Sequence, residues 1–261
     1  MEILVVALVA FFASGLTLFS GFGLGTILMP AFALMMPVEV AIAATAVVHL
    51  ANNLFKLVLV GRQADGRVLL RFAVPAALAA VVGATLLVRL SGLPTVATWQ
   101  GLGGTHRIEA LPLAIGLLIV VFALLELSPA FSRVQFPARY LPLGGVISGF
   151  FGGLSGNQGA FRTAFLIKAG LSKEAFIATG VVAAVIVDAT RLGIYGLSHL
   201  TRNFAQLTPE VWTIVAVATL SAFLGAFVGS RVLKKITLRT VQIVVAITMI
   251  ALGSGLALGL I

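Results

Sequence analysis

The sequence predicts an all-α polytopic membrane protein made of two inverted repeats, each a broken, re-entrant helical hairpin plus three transmembrane helices. Three observations lead there. The 261 residues are 60% hydrophobic and 10% charged, with a mean hydropathy of +1.16, a composition that a soluble domain does not carry. The apolar residues gather into seven or eight segments of roughly the length that crosses a hydrocarbon core. The second half of the chain also repeats the first. At an offset of 135, Ser20–Gly21 falls on Ser155–Gly156, Glu39 on Glu174, Ile42–Ala43 on Ile177–Ala178, Leu57 on Leu192 and Gly61 on Gly196. Beyond a longer loop the offset becomes 142, which aligns Gly83–Ala84 with Gly225–Ala226 and Arg89 with Arg231.

The N-terminal repeat, 1–128, opens with hairpin 3–36, interrupted at SGFGLG from Ser20 to Gly25. Its first stretch, MEILVVALVA, lacks a basic n-region and is expected to be retained. A span over 38–60 ends at Gly61, and a loop bearing Arg62, Asp65, Gly66 and Arg67 leads to a span over 69–90. Pro75 is tolerable there where neighbouring helices satisfy the freed carbonyl. Ser91 to Glu109, with Pro94, Trp99 and two adjacent glycines, reads as a loop before span 110–128. A basic linker, 129–139, precedes the C-terminal repeat, 140–261: hairpin 140–169, then helices 173–197, 209–233 and 240–260. Glu39 and Glu174 stand at helix starts, where a carboxylate complements the helix dipole.

The cations decide between crossing and re-entry. If both interrupted segments crossed, the flanking Lys and Arg would divide about six against eight, contrary to the positive-inside rule. If both return to their own side, Arg62, Arg67, Arg71, Arg133, Arg139, Lys168, Lys173, Arg231, Lys234, Lys235 and Arg239 share one face. Arg89, Arg107 and Arg202 are left for the other. This arrangement makes the halves inverted, with both termini outside and the two hairpin tips meeting near the midplane.

The second break, GGLSGNQGAFR from Gly152 to Arg162, carries the strongest functional signal. Hydrocarbon leaves no backbone group to water, so glycines interleaved with Ser155, Asn157 and Gln158 must face protein or a wet cavity. A helix restarting near Gln158 and Gly159 aims free N–H groups at that cavity, with Arg162 a turn further on, an arrangement suited to an anion. Gly156 belongs to the same break, and Ser20, Gly21 and Gly23 are its counterparts in the first repeat. Two polar stripes accompany the breaks: His49, Asn52, Asn53 and Lys56 on one helix, Asp188, Arg191 and Tyr195 on the other. Asn53 and Asp188 are repeat equivalents, as are Lys56 and Arg191. The alternatives are structural: glycines for close packing, an i,i+3 ion pair between Asp188 and Arg191, a snorkelling Lys56, and a hydrogen-bonded rather than proton-carrying His49.

Several classes drop out. Without cysteine there are no disulfides, thiolate metal sites or thiol catalysis, and the histidines lack metal-ligand spacing, so no cofactor and no metal are expected. The net charge of +9 comes without a basic cluster interleaved with aromatics, which argues against nucleic acid.

The blocks GFGLGTILMP at Gly21 to Pro30, GGLSGNQGAFRTAFL at Gly152 to Leu166 and AGLSKEAFIATG at Ala169 to Gly180 resemble the TauE/SafE-type sulfite exporter family, also called the toluene-sulfonate uptake permeases. The resemblance covers nearly the whole chain, although Asn157-Gln158-Gly159 replaces the family's more common run of consecutive glycines. It implies a carrier in the bacterial inner membrane for sulfite, an organosulfonate or a related sulfur-containing anion. The expected mechanism is alternating access. The anion is held between the hairpin tips by Arg162, Ser155, Asn157 and Gln158, with Arg191, Asp188 and Asn53 along the path and His49 and Lys56 in the charge network. Expected partners are the small anion and the lipid bilayer, while the stripe Ser221, Gly225, Gly229 permits a homodimer. A passive anion channel is the alternative. The G-x-S-G at Gly153 to Gly156 admits an intramembrane serine protease, which would need Ser155 paired with a histidine.

Overall fold

The computed structural model describes residues 2–20, 24–101, 103–198, 208–232 and 238–261. The first half of the chain contains α1 (Glu2–Ser20), α2 (Leu24–Ala33), α3 (Val38–Val60) and α4 (Gly66–Ser91), then β1 (Thr95–Gly101), β2 (Gly104–Glu109) and α5 (Ala110–Leu127). A short α6 (Pro129–Ser132) occupies the linker. The second half contains α7 (Leu141–Ser155), α8 (Gly159–Leu166), α9 (Lys173–Gly196), α10 (Pro209–Val232) and α11 (Leu238–Ala257).

Local chemistry sets several boundaries. Asp65 caps α4 by accepting from Val68 N at 2.8 Å, which starts this helix three residues before the apolar run. Ser172 caps α9 through Ala175 N at 3.1 Å. The expected loop of Ser91 to Glu109 instead holds an antiparallel hairpin, with Trp99 opposite His106, whose turn passes through Gly103 at φ +81°. Trp99 Nε1 donates to the Leu258 carbonyl at 2.9 Å, tying this hairpin to the end of the chain.

The burial pattern is that of a membrane protein. Leu8, Phe12, Leu70, Leu78, Val82, Leu117, Leu124, Leu220, Leu224 and Ile247 are exposed, whereas Asn52, Asn53, Lys56, Asn157, Gln158, Arg162, Asp188 and Arg191 are buried. Among the described residues, α3, α4, α5, α9 and α10 are each long and apolar enough to cross a bilayer. The chain is an all-α polytopic membrane protein with a small β-hairpin between α4 and α5.

Glycine faces dictate which helices touch. A Cβ on Gly145, Gly149 or Gly153 of α7 would strike the carbonyl of Phe72, Ala76 or Ala80 of α4, so α7 and α4 lie backbone to backbone and run parallel. Gly225 and Gly229 of α10 meet Phe11 and Gly15 of α1 in the same way, again parallel. In contrast, α5 and α11 are antiparallel, with Gly116 against both Gly253 and Ala257. So are α3 and α9, where Asp65, just beyond α3, donates its N–H to Thr179 Oγ1 at 3.0 Å while Asn53 meets Asp188.

The cores follow these pairings. One joins Val6, Ala10, Leu28, Phe32, Val40 and Ala218 from α1, α2, α3 and α10. Another joins Phe72, Ala76, Leu141, Phe165, Ala183 and Val187 from α4, α7, α8 and α9. A third gathers α5 and α11 around Ile115, Ile119, Phe122 and Met249.

At the second break the chain turns back. The α7 helix ends at Gly156, whose φ of +82° is a left-handed cap that L side chains rarely adopt. The α8 helix then returns along α7: Ser148 Oγ donates to the Gln158 carbonyl at 3.0 Å, and Phe136 N to the Ala164 carbonyl at 3.1 Å. A Cβ on Gly144 would collide with the Phe165 side chain. The start of α7 and the end of α8 therefore lie at one end of the bundle, beside the start of α4. Arg62, Arg67, Arg71, Arg133, Arg139, Lys168 and Lys173 flank these termini. Lys234 and Lys235, assigned by the sequence to the same face, lie outside the described residues, as does Arg202.

Candidate functional site

Asp188 is the centre of the polar interior. It lies four turns into α9, is fully buried, and every neighbour it touches is a donor. Arg191, one turn on, donates Nε to Asp188 Oδ1 at 3.1 Å and places Nη2 2.9 Å from the same oxygen. Gln158, at the restart of α8, donates Nε2 to Oδ1 at 3.3 Å. From α3, His49 Nδ1 stands 2.6 Å from Oδ2, so that nitrogen carries a proton and donates it. With Nδ1 so occupied, the Asn53 amide, 3.1 Å away, donates to Asp188 Oδ2 at 3.3 Å instead.

The arrangement joins what the sequence listed on separate segments. Asn53 and Asp188, 135 positions apart, touch each other. The Arg191 guanidinium lies against the second break, where a Cβ on Gly156 would fall 2.7 Å from Nη1. Nη1 has no hydrogen-bond partner among the described residues, and neither has the Oδ1 of buried Asn157. The start of α2 reaches the same place: a Cβ on Gly25 would lie 3.6 Å from the Gly156 carbonyl oxygen and 3.9 Å from His49. Both interrupted segments thus converge on the His49–Asp188–Arg191 cluster. Gly21 and Gly23 lie outside the described residues, and Ser20 is placed only as the last residue of α1.

Arg162 lies further along the same face of α9. A Cβ on Gly180, two turns before Asp188, would come within 3.5 Å of its Nε. Lys56 is only 7% exposed, so it is enclosed in protein rather than extended to the surface. Gly159 begins α8 and is buried with Gln158.

Ser155, His49 and Thr179 each find a partner within the protein. The Ser155 hydroxyl donates to the Phe151 carbonyl of its own helix at 3.2 Å. With His49 turned to Asp188, no hydrogen bond joins Ser155 to His49 among the described residues, and the nucleophile–base pair of a serine protease is not formed. Thr179 accepts from the Asp65 N–H across helices.

Of the remaining buried polar groups, Ser148, Ser14 and Glu126 were not singled out from sequence, whereas Tyr195 was. Ser148 fixes α7 to the Gln158 carbonyl, and its signal was a hydroxyl on the glycine face one turn before Gly152. Tyr195 OH donates to the Gly153 carbonyl at 2.7 Å, holding α9 against the last turn of α7. Ser14 donates to Asn52 at 3.2 Å and ties α1 to the polar face of α3. Glu126, a buried carboxylate near the end of α5, was legible as a charge inside an apolar span.

Asp188 and Arg191, with His49, Asn53 and Gln158 around the carboxylate, form a buried charged centre beside the Gly156 break. Among the described residues no group of histidines and carboxylates is placed to hold a metal ion. No curated protein and no solved structure gives a significant match to the chain. The TauE/SafE sulfite exporter family matches over residues 6–256, through both breaks and both polar helices, and the chain belongs to that family of membrane transport proteins for sulfite and related anions.

Proposed function

We propose that the chain moves sulfite or a related sulfur-containing anion across the bacterial inner membrane by alternating access, with the anion bound where the two breaks meet. The observation that carries this reading is the fully buried Arg191 guanidinium. Its Nη1 faces the Gly156 break without an acceptor among the described residues. A sulfur oxyanion offers several acceptor oxygens, two of which a guanidinium can engage at once, and Asn157 and Gly159, the first residue of α8, follow Gly156 directly in the chain.

The packing supports two inverted halves. Exchanging α1 with α7, α3 with α9, α4 with α10 and α5 with α11 maps the observed helix pairs onto one another. Self-equivalent pairs, α3 with α9 and α5 with α11, run antiparallel, which a two-fold axis perpendicular to the helices produces and one along them does not. Rocking of one half on the other would open the cluster to each side in turn. The seven cations at the α7–α8 end support a cytoplasmic placement of that end, and hence both termini outside.

The test is uptake of labelled sulfite and of methanesulfonate into proteoliposomes, with unlabelled anion inside or absent. Saturable uptake that internal anion accelerates, and that Arg191→Gln abolishes in folded protein, is expected. Absence of flux for both compounds would overturn the reading, and flux that neither saturates nor responds to internal anion would replace the carrier by a channel.

A further inference from the structure

We infer that the Thr45 hydroxyl of α3 is a ligand of the transported anion, which bridges α3 and the second break where Gly25 meets Gly156. This rests on the transport reading above and adds the residue that the first half of the chain contributes to the site. Thr45 lies two turns into α3 and is 1% exposed, and its Oγ1 has no hydrogen-bond partner among the described residues. A helical threonine ordinarily donates to the carbonyl four residues back. Thr190, Thr213 and Thr219 of this chain do so, at 2.8 Å, 2.9 Å and 2.8 Å. Thr45 departs from that habit. A buried hydroxyl left without a bond is costly, and the cost is removed when a ligand supplies the partner.

The place of this hydroxyl points to the ligand. Thr45 is one turn before His49 on the same face of α3, and His49 is bonded to Asp188. A Cβ on Gly25 would lie 3.9 Å from Thr45 Cγ2, 3.9 Å from His49 Cδ2 and 3.6 Å from the Gly156 carbonyl oxygen. These are ordinary contact distances, so the absent side chain of Gly25 leaves room for a methyl-sized group between α2, α3 and the second break. At Gly156 stands Arg191, whose Nη1 would be 2.7 Å from a Cβ on that glycine and has no hydrogen-bond partner among the described residues. Two buried donors, one on α3 and one on α9, thus flank the same glycine contact without acceptors. An anion with at least two free oxygens satisfies both, one oxygen taking the guanidinium and another the hydroxyl. Sulfite and the sulfonates have that chemistry.

The experiment titrates protection of the purified full chain from thermal unfolding with sulfite and with methanesulfonate, on the wild type, Thr45→Val, Thr45→Ser and Gly25→Ala. Valine replaces the hydroxyl by a methyl group of the same shape. Because no bond within the protein is lost, the anion-free melting temperature of Thr45→Val should be unchanged or higher, while half-maximal protection should need about tenfold or more anion. Serine keeps the hydroxyl and should stay within about threefold of the wild type. Gly25→Ala meets only ordinary contacts, so it should fold, and its methyl should weaken protection by filling the space beside the hydroxyl.

A fall in the anion-free melting temperature of Thr45→Val would show a hydroxyl bonded within the protein and would overturn the inference. An unchanged half-maximal concentration in Thr45→Val overturns it as well, and the same result in Gly25→Ala overturns the placement at the glycine contact. All three leave the transport reading standing while the wild type is protected and carries the anion. If neither anion protects the wild type or crosses the membrane, the transport reading falls and this inference with it.

Discussion

Asp188→Asn is the substitution that most directly probes the centre of the molecule. The amide has nearly the same shape, so the effect is electrical. Around Oδ1 stand Arg191 Nε at 3.1 Å, Arg191 Nη2 at 2.9 Å and Gln158 Nε2 at 3.3 Å, and around Oδ2 stand His49 Nδ1 at 2.6 Å and Asn53 Nδ2 at 3.3 Å. All of these are donors. Whichever way an asparagine turns, its own NH2 meets a donor, and the fully buried Arg191 loses its counter-charge. Removing one partner of a buried ion pair costs about 3–5 kcal/mol. The partner replacement Arg191→Gln removes the stranded charge, so the double variant should recover about 1–3 kcal/mol relative to the sum of the single losses. The assay is reversible unfolding in mixed micelles with rising SDS, followed by circular dichroism, on the wild type, both single variants and the double variant. A loss below about 1 kcal/mol for Asp188→Asn, or strict additivity in the cycle, would refute the role assigned to this pair.

Further outcomes follow from contacts described above. Gly149→Val should abolish folded yield, because its Cβ would overlap the Ala76 carbonyl, whereas Gly193→Ala, with nothing within 4 Å, should be neutral or gain up to about 1 kcal/mol; size-exclusion profiles separate the two. Tyr195→Phe removes the 2.7 Å bond to the Gly153 carbonyl and should cost about 1–3 kcal/mol in the same micelle titration, since a buried carbonyl is left without that donor. Trp99→Phe loses the 2.9 Å bond to Leu258 and should release the chain end, read as faster trimming of the last residues by carboxypeptidase.

The fold was legible where one physical signal dominated. Helix spans followed from apolar length, and the breaks from glycines and amides that hydrocarbon does not tolerate. The Asp188–Arg191 pair could be read because i,i+3 neighbours share a helix face. The bond from His49 to Asp188 could not, since it joins residues 139 apart and depends on how α3 crosses α9. The bond from the Ser155 hydroxyl to Phe151 was not read either, although at a helix end the carbonyl four residues back is the nearest acceptor. The hairpin of β1 and β2 was missed because Pro94 and the glycines flagged a loop. The β-branched and aromatic residues from Thr95 to Trp99, with Gly103–Gly104 as the turn, were the signal for strands.

The contact between Asn53 and Asp188 has an evolutionary consequence on the inverted-repeat reading. Equivalent positions that touch each other lie on the symmetry axis, 3.3 Å apart here. In an assembly of two identical copies such a position faces its own twin, so it holds two carboxylates or none. Two aspartates at that separation would repel in the membrane interior, and two asparagines would leave Arg191 and its equivalent without a counter-ion. Only after the two halves are joined into one chain can a single negative charge sit on the axis, with an amide opposite to share it. The mismatch at Asn53 and Asp188 is then the mark of fusion: an odd charge that a symmetric ancestor had no means of placing.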